Sequence, residues 1–339
     1  MSYLGSLENF QLAAAELNQL FEQFEETFSI REKRLLHPAY NEAIRRIATL
    51  HRKGQELKQG GGLLLTGHSG IGKSTVLNFY RERFPPFDEQ DGVVIPVLYV
   101  LTPAAPSVKN LAESILQAMG DPYSAKGTSE DKTRRIYLLI KKCRVELLMI
   151  DEFQHFFDTS RHSESRSVTD WLKNLLSVAK IPVVLAGLPR SELVIRANTQ
   201  LARRFSSRFC MQPFSFAEEN LRIVFRGVLK GIHAVIPLKC LPLHDANVAR
   251  RIFIATNGVM DYICKLLDQA IYLGRRSRDR EITLVVLSMA FRDEIWRDCP
   301  EPLNPFSEDS VLRPLTQSGE PFESHADADS INKRIWKTI

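Results

Sequence analysis

The chain has 339 residues, enough to bury a large core and to form more than one domain. Its 44% hydrophobic and 25% charged residues exclude a disordered or fibrous protein, and no apolar run approaches the ~20 residues that span a bilayer. Net charge is +5 but uneven: residues 1–30 carry five Glu and no Lys or Arg, so they do not read as a secretory or transit peptide, and the basic remainder favours a polyanionic partner. The five cysteines are scattered, without a CxxC pair or His/Cys cluster, so they read as reduced thiols of a cytoplasmic protein rather than metal ligands.

In chain order, Leu17, Phe21, Phe24 and Phe28 recur at helical spacing with Glu22, Glu25 and Glu26 between them. This predicts an amphipathic helix, packed either on its own domain or on another protein. A basic helix is expected over Ala39–Leu57, then a Gly60-Gly61-Gly62 link into the apolar strand Leu63–Thr66. The run that follows, Gly67-His68-Ser69-Gly70-Ile71-Gly72-Lys73-Ser74, leads into the helix-like Thr75–Tyr80. Strand, glycine-rich loop and helix are the setting of a phosphate-binding P-loop. Glycines let backbone N–H groups turn inward onto phosphate oxygens, and the positive end of the helix faces the same anion. Lys73 would reach the β- and γ-phosphates, Ser74 would hold Mg2+, and Thr75 completes the binding segment.

Asp91-Gly92 marks a turn, and Val93–Val100 reads as one strand, at a sheet edge because of Pro96. Ser107 caps a helix whose apolar stripe runs from Val108 to Met119, and Gly120 stops it. Residues 121–133 read as a loop and Arg135–Cys143 as a helix. Glu146–Ile150 is a buried strand ending in Asp151-Glu152. About 75 residues after a P-loop, this pair is the acidic half of a nucleotide hydrolase site: Asp151 orients Mg2+, and Glu152 polarises the attacking water. No Asn-Lys-x-Asp guanine-reading run exists, which favours ATP. After a polar stretch at 158–167, a helix over Thr169–Lys180 and a strand over Pro182–Gly187 continue the alternation. Strands alternating with helices imply a parallel sheet covered on both faces, with nucleotide beyond the strands' carboxyl ends.

From Phe214 onward the pattern is helical, over Ala217–Leu229, His244–Thr256, Met260–Gly274 and Val285–Arg297, which reads as a smaller all-α domain. The Pro-, Ser- and acid-rich tail after Pro300 reads as flexible. The expected division is 1–30, an N-terminal helix; 31–213, the nucleotide-binding α/β domain; 214–298, a helical lid; and 299–339, the tail.

The order of these elements resembles an AAA+ ATPase. Gly62–Gly67, Leu148–His155 and Ile181–Pro189 resemble the TniB/TnsC family of ATP-dependent transposition regulators, including those of CRISPR-associated transposons, over roughly residues 30–275. The resemblance implies an AAA+ P-loop sheet with a helical lid, binding ATP and Mg2+ between subunits. Such subunits assemble as a homo-oligomer, a hexameric or heptameric ring or a filament, around double-stranded DNA without reading its sequence. They engage transposase subunits and a TniQ-like targeting protein, and hydrolysis disassembles the complex. It also implies a trans-acting arginine after the last central strand, where Arg204 and then Arg203 are the candidates, with Arg208 at the start of a strand. A guanidinium keeps its charge and grips two phosphate oxygens.

Two departures point to slow hydrolysis: Ala186-Gly187-Leu188 offers no polar side chain to the γ-phosphate, and no arginine follows the Asn257-Gly258 turn, Lys265 being the nearest cation. By resemblance the DNA-facing candidates are Lys109, Lys126, Lys132, Arg134 and Arg135, with a second basic cluster at Arg275–Arg280. A replication-initiator or helicase-loader ATPase is the competing reading; such proteins usually add a winged-helix domain, for which the tail is short. A P-loop signalling scaffold without DNA is another.

Overall fold

A computed structural model describes residues 28–33, 37–158 and 162–323 of the chain. The predicted helix at Leu17–Phe24 and Trp336 in the tail lie outside the described residues. The chain divides into two compact units, one of residues 36–228 with 252–262, the other of residues 1–35, 229–251 and 263–339.

The first unit begins with α1 (Pro38–Leu57), entered through Pro38 at its first turn. Then come β1 (Gly62–Gly67), α2 (Lys73–Arg81), β2 (Phe87–Glu89), β3 (Gly92–Val94), β4 (Val97–Leu101), α3 (Val108–Ala118) and α4 (Ser129–Lys142). They are followed by β5 (Leu147–Asp151), α5 (His155–Asp158), α6 (His162–Ala179), β6 (Val183–Gly187), α7 (Ser191–Arg196), α8 (Thr199–Arg204) and β7 (Ser207–Met211). Five strands pair in parallel in the order β4-β5-β6-β1-β7.

Period-two alternation splits the apolar side chains of these strands between the two faces. Leu64, Leu98, Val100, Leu148, Ile150, Val183 and Leu185 join the cluster built with α3, α4 and α6. Leu63, Leu65, Val97, Leu147, Met149, Val184 and Ala186 join the cluster built with α1 and α2. Both faces are therefore buried, and the strands read as continuous apolar runs. The order also places β6 between β1 and β5, so the P-loop and Asp151-Glu152 end two strands that are not neighbours.

Three expectations are corrected. The strand over Val93–Val100 is two strands: β3 pairs antiparallel with β2, and β4 starts after Pro96. Pro96 lacks an N–H but its carbonyl accepts from Glu146 and Leu147 at 2.9 and 3.1 Å. The loop ends at Thr128 rather than at residue 133, because Thr128 and Asp131 form a reciprocal capping box that starts α4 earlier. The tail is folded over residues 300–323: Asn304, Phe306, Leu315 and Phe322 are buried, and Asn304 Nδ2 donates to Ser288 Oγ at 2.8 Å.

That tail belongs to the second unit, with β8 (Lys239–Cys240), β9 (Glu281–Ile282) and α12 (Leu284–Glu294). There Arg251 donates to the carbonyls of Pro305 and Ser307 at 2.5 and 3.0 Å. Helices α9 (Glu219–Val235), α10 (Ala246–Thr256) and α11 (Met260–Arg276) contribute residues to both units. Of the polar stretch 158–167, residues 159–161 lie outside the described residues and α6 begins at His162.

Candidate nucleotide site

The loop after β1 turns on Gly70 at φ +75° and Gly72 at φ +98°, the left-handed region that a Cβ disfavours. Gly72 is the N-cap of α2 and supplies no side-chain cap, so the first N–H groups of the nine-residue helix lack the usual acceptor. Ile71 is buried beneath the loop, while Ser69 and Thr75 are exposed and His68 and Ser74 partly so. Lys73 is 6% exposed, and its Nζ donates to the carbonyls of Gly67 and His68, both at 2.9 Å. Burial lowers its pKa, and the charges of Glu152 and Asp151 oppose that shift. The ammonium thus rests on the loop's own backbone, beside the acids.

Asp151 closes β5 with a fully buried carboxylate. Its Oδ2 accepts from Ser74 Oγ at 2.6 Å and Tyr99 Oη at 3.1 Å, and its Oδ1 accepts from the Glu152 N–H at 2.8 Å. Thr102 Oγ1 donates to the Asp151 carbonyl at 2.7 Å. Tyr99 was not singled out by sequence; its signal is period two, since Tyr99 and Leu101 on β4 stand opposite Met149 and Asp151 on β5. Its pKa is raised by burial and then by the Asp151 charge, which keeps the phenol a donor. A hydroxyl and a carboxylate held together are hard oxygen donors of the kind Mg2+ takes. Among the described residues there is no group of three or more acidic, His or Cys ligands. That sparse set fits an ion that completes its shell with substrate phosphates and water.

The end of β6 lies between these two halves. Ala186, Gly187 and Leu188 carry no polar side chain, as the sequence implied, but Gln154 arrives there from the turn after β5. Its Oε1 accepts the Leu188 N–H at 3.0 Å, and its Nε2 donates to Glu152 Oε2. In the same unit the Asp261 N–H donates to the Gly70 carbonyl at 3.0 Å, so a helix N-terminus meets the loop at the segment where no arginine was found.

The arginines divide. Arg203 and Arg204 close α8. Arg204 Nη2 donates to Ser177 Oγ at 2.9 Å, whereas Arg203 is exposed and bonds none of the described residues. Arg208 is on β7, paired to Glu192 at 2.5 Å.

Of the DNA candidates, Lys109 is exposed on α3 and Lys126 is exposed with its ammonium 5.1 Å from the Tyr123 ring centroid. Arg134 is 75% exposed and pairs with Asp131 at 3.1 Å. Lys132 is a correction: it is fully buried, bonded to the Ser124 carbonyl and, at 3.0 Å, to Glu113, because the helix begins at Ser129 and turns that position inward. Arg135 is committed to the same loop, donating to the carbonyls of Tyr123 and Lys126 at 2.9 and 2.7 Å. In the second unit, Arg276 stacks 4.1 Å over Tyr272, and Arg278 and Arg280 are exposed.

A parallel sheet with β6 between the P-loop strand and the acidic strand defines an AAA+ ATPase fold. Residues 27–213 match the family described as bacterial TniB protein, and the chain belongs to that family. The Orc2 protein of Aeropyrum pernix, in ADPNP and ADP complexes, superposes with a TM-score of 0.58 at 13% identity, over 77% of this chain and 68% of that one. Cdc6p of Pyrobaculum aerophilum gives 0.58 at 13% identity, over 80% and 70%, and Aeropyrum pernix Orc1 in complex with DNA gives 0.56 at 16%, over 78% and 67%. General secretion pathway protein A of Aeromonas hydrophila is 27% identical over 194 residues, 52% of this chain and 31% of that relative, so the chain spans about a third of its length. Among the described residues no helix is long and apolar enough to cross a membrane.

Proposed function

We propose that this chain is an ATP-dependent transposition regulator that assembles on double-stranded DNA and links a TniQ-like targeting protein to the transposase. The carrying observation is the convergence of Lys73, Ser74, Asp151 and Glu152 at one end of the sheet in a TniB-family chain. Gly67–Thr75 cradles the triphosphate, and Lys73 leaves the Gly67 and His68 carbonyls for the β- and γ-oxygens. Ser74 and Asp151 would hold Mg2+, which when bound would supply charge neutralisation on the phosphates. Glu152 takes a proton from water as its oxygen bonds to the γ-phosphorus and the bond to the ADP oxygen breaks, leaving ADP and phosphate. Arg203, exposed and without a partner among the described residues, suits an approach to a neighbouring subunit's triphosphate. A head-to-tail contact of that kind is heterologous, and its rotation sets whether a ring or a filament forms. Exposed Lys109, Lys126 and Arg134 suit backbone contacts that carry no sequence information.

Sedimentation with a slowly hydrolysed ATP analogue, with and without duplex DNA, tests this reading. Assembly needs both ligands, and Lys73→Ala protein stays unassembled. A Lys73→Ala protein that assembles on duplexes as the parent does would overturn it, and assembly indifferent to DNA would favour a scaffold without nucleic acid.

A further inference from the structure

Glu152 sits on a constrained backbone that leaves the direction of its side chain to other contacts. It adopts φ +56°, which costs a residue with a Cβ roughly 1–2 kcal/mol, and its N–H is held by Asp151 Oδ1 at 2.8 Å. Neither contact fixes where the carboxylate points. Gln154 does. Gln154 is 3% exposed, and burial of its amide is tolerated when both ends are bonded. Nε2 donates to the Glu152 carboxylate, an acceptor only, and Oε1 takes the Leu188 N–H at 3.0 Å, a donor only. The two ends face partners of opposite kind, so the amide has one satisfied orientation. The neighbouring backbone makes room for it: a Cβ on Gly187 would lie 2.7 Å from Gln154 Oε1 and 2.4 Å from Ser191 Oγ. The turn itself is docked by the Phe153 N–H on the Ala186 carbonyl at 2.8 Å.

We infer that Gln154 is a positioning residue for hydrolysis, clamping the Glu152 carboxylate to the carboxyl end of β6 at Leu188. The inference rests on Glu152 being the group that activates water. Leu188 opens the segment that runs through α7 and α8 to Arg203 and Arg204. The clamp therefore ties the base to the backbone that carries the proposed trans-acting arginine, and a shift of that segment moves the acceptor on which the base is aimed. The hydrogen bonds of Lys73 Nζ, Ser74 Oγ and the Asp151 carboxylate run to groups other than Gln154, so nucleotide and metal binding are expected to survive its loss.

Two variants separate aim from packing. Gln154→Glu keeps an acceptor for Leu188 and loses the donor to Glu152; Gln154→Met keeps similar volume and loses both. Steady-state hydrolysis by the full chain with Mg2+, ATP and duplex DNA is compared with binding of a fluorescent ATP analogue. Both variants are expected to lose about 10- to 100-fold in kcat, since small misplacement of a reacting group has effects of that size. KM and analogue affinity stay within about twofold, the signature of an interaction needed for the chemical step alone. Glu152→Gln serves as reference and is expected to bind without hydrolysing. If Glu152→Gln is inactive and Gln154→Glu has parental kcat, the clamp is overturned and the base stands. If Glu152→Gln turns over as the parent does, the base reading falls and the clamp with it. A loss of analogue affinity matching the loss of kcat in both Gln154 variants also overturns the clamp, because Gln154 would then support the whole site.

Discussion

Ser74 Oγ donates to Asp151 Oδ2 across 2.6 Å, although the residues are 77 positions apart and belong to segments following or ending strands with β6 between them. Two strand spacings of about 4.8 Å separate those strands, and the bond is made from the first turn of α2. Asp151→Asn keeps the shape but removes the charge that suits a divalent ion. Metal charge stabilisation of several kcal/mol corresponds to a loss of about 100-fold or more in kcat. Hydrolysis measured against Mg2+ concentration checks this, and a parental Mg2+ dependence in the variant would remove Asp151 from the metal role.

Arg203 and Arg204 are adjacent but differently committed, Arg204 to Ser177 and Arg203 to none of the described residues. Arg203→Ala is expected to lower hydrolysis by assembled protein by about 10³-fold, with Arg204→Ala milder. The trans action has its own readout. Arg203→Ala chains keep an intact P-loop, while Lys73→Ala chains keep Arg203, so mixing the two inactive proteins restores activity at mixed interfaces. No restoration on mixing would place Arg203 outside the neighbouring site.

The glycine-rich loop after β1 and the acidic pair at the end of β5 were legible as candidates because each is a contiguous run at a strand end. The two-faced sheet was legible for the same reason, through the unbroken apolar runs of β1, β5 and β6. Tyr99, Gln154 and Asp261 were not, because each matters through a residue distant in sequence, or through a main-chain group. Tyr99 could have been found only by registering β4 against β5. Lys132 misled because a lysine in an assumed loop reads as solvated; the Thr128–Asp131 capping box, visible in the sequence, moves it into a helix and onto the buried face. The tail misled because composition cannot register a few anchors such as Asn304 and Phe322 among many polar residues.

Lys109 and Lys132 consequently separate by measurement. Lys109→Glu is expected to weaken duplex binding alike on unrelated sequences and to lower the slope of log affinity against log salt by about one, with thermal stability unchanged. Lys132→Met leaves the Ser124 carbonyl and Glu113 without their donor and is expected to cost about 1–3 kcal/mol, seen as a lowered Tm. Assembled Lys132→Met protein keeps the parental salt slope. A Lys132 effect on the slope at unchanged Tm would reverse the assignment.

Acid sensitivity has an identifiable contributor in His37. It is the N-cap of α1, where Nδ1 accepts the Tyr40 N–H at 3.4 Å, and its ring stands 5.0 Å edge-on from Phe214. Burial lowers its pKa from 6.5 to about 4. The folded state thus binds the neutral ring, which alone can accept at Nδ1, while the unfolded chain binds a proton from about pH 6.5 downward. The contribution is complete above pH 6.5, declines as pH falls, and is gone once pH passes the folded value near 4, amounting to about 3 kcal/mol for a shift of this size. Asn caps equally well and never titrates, so in His37→Asn this part of the acid loss is absent. Denaturant unfolding at pH 7 and pH 4.5 measures it: the packing lost with the ring offsets both values alike, and the drop between them is expected to be smaller by about 2 kcal/mol in the variant. Equal drops in parent and variant would show that His37 is not the group whose protonation weakens the fold.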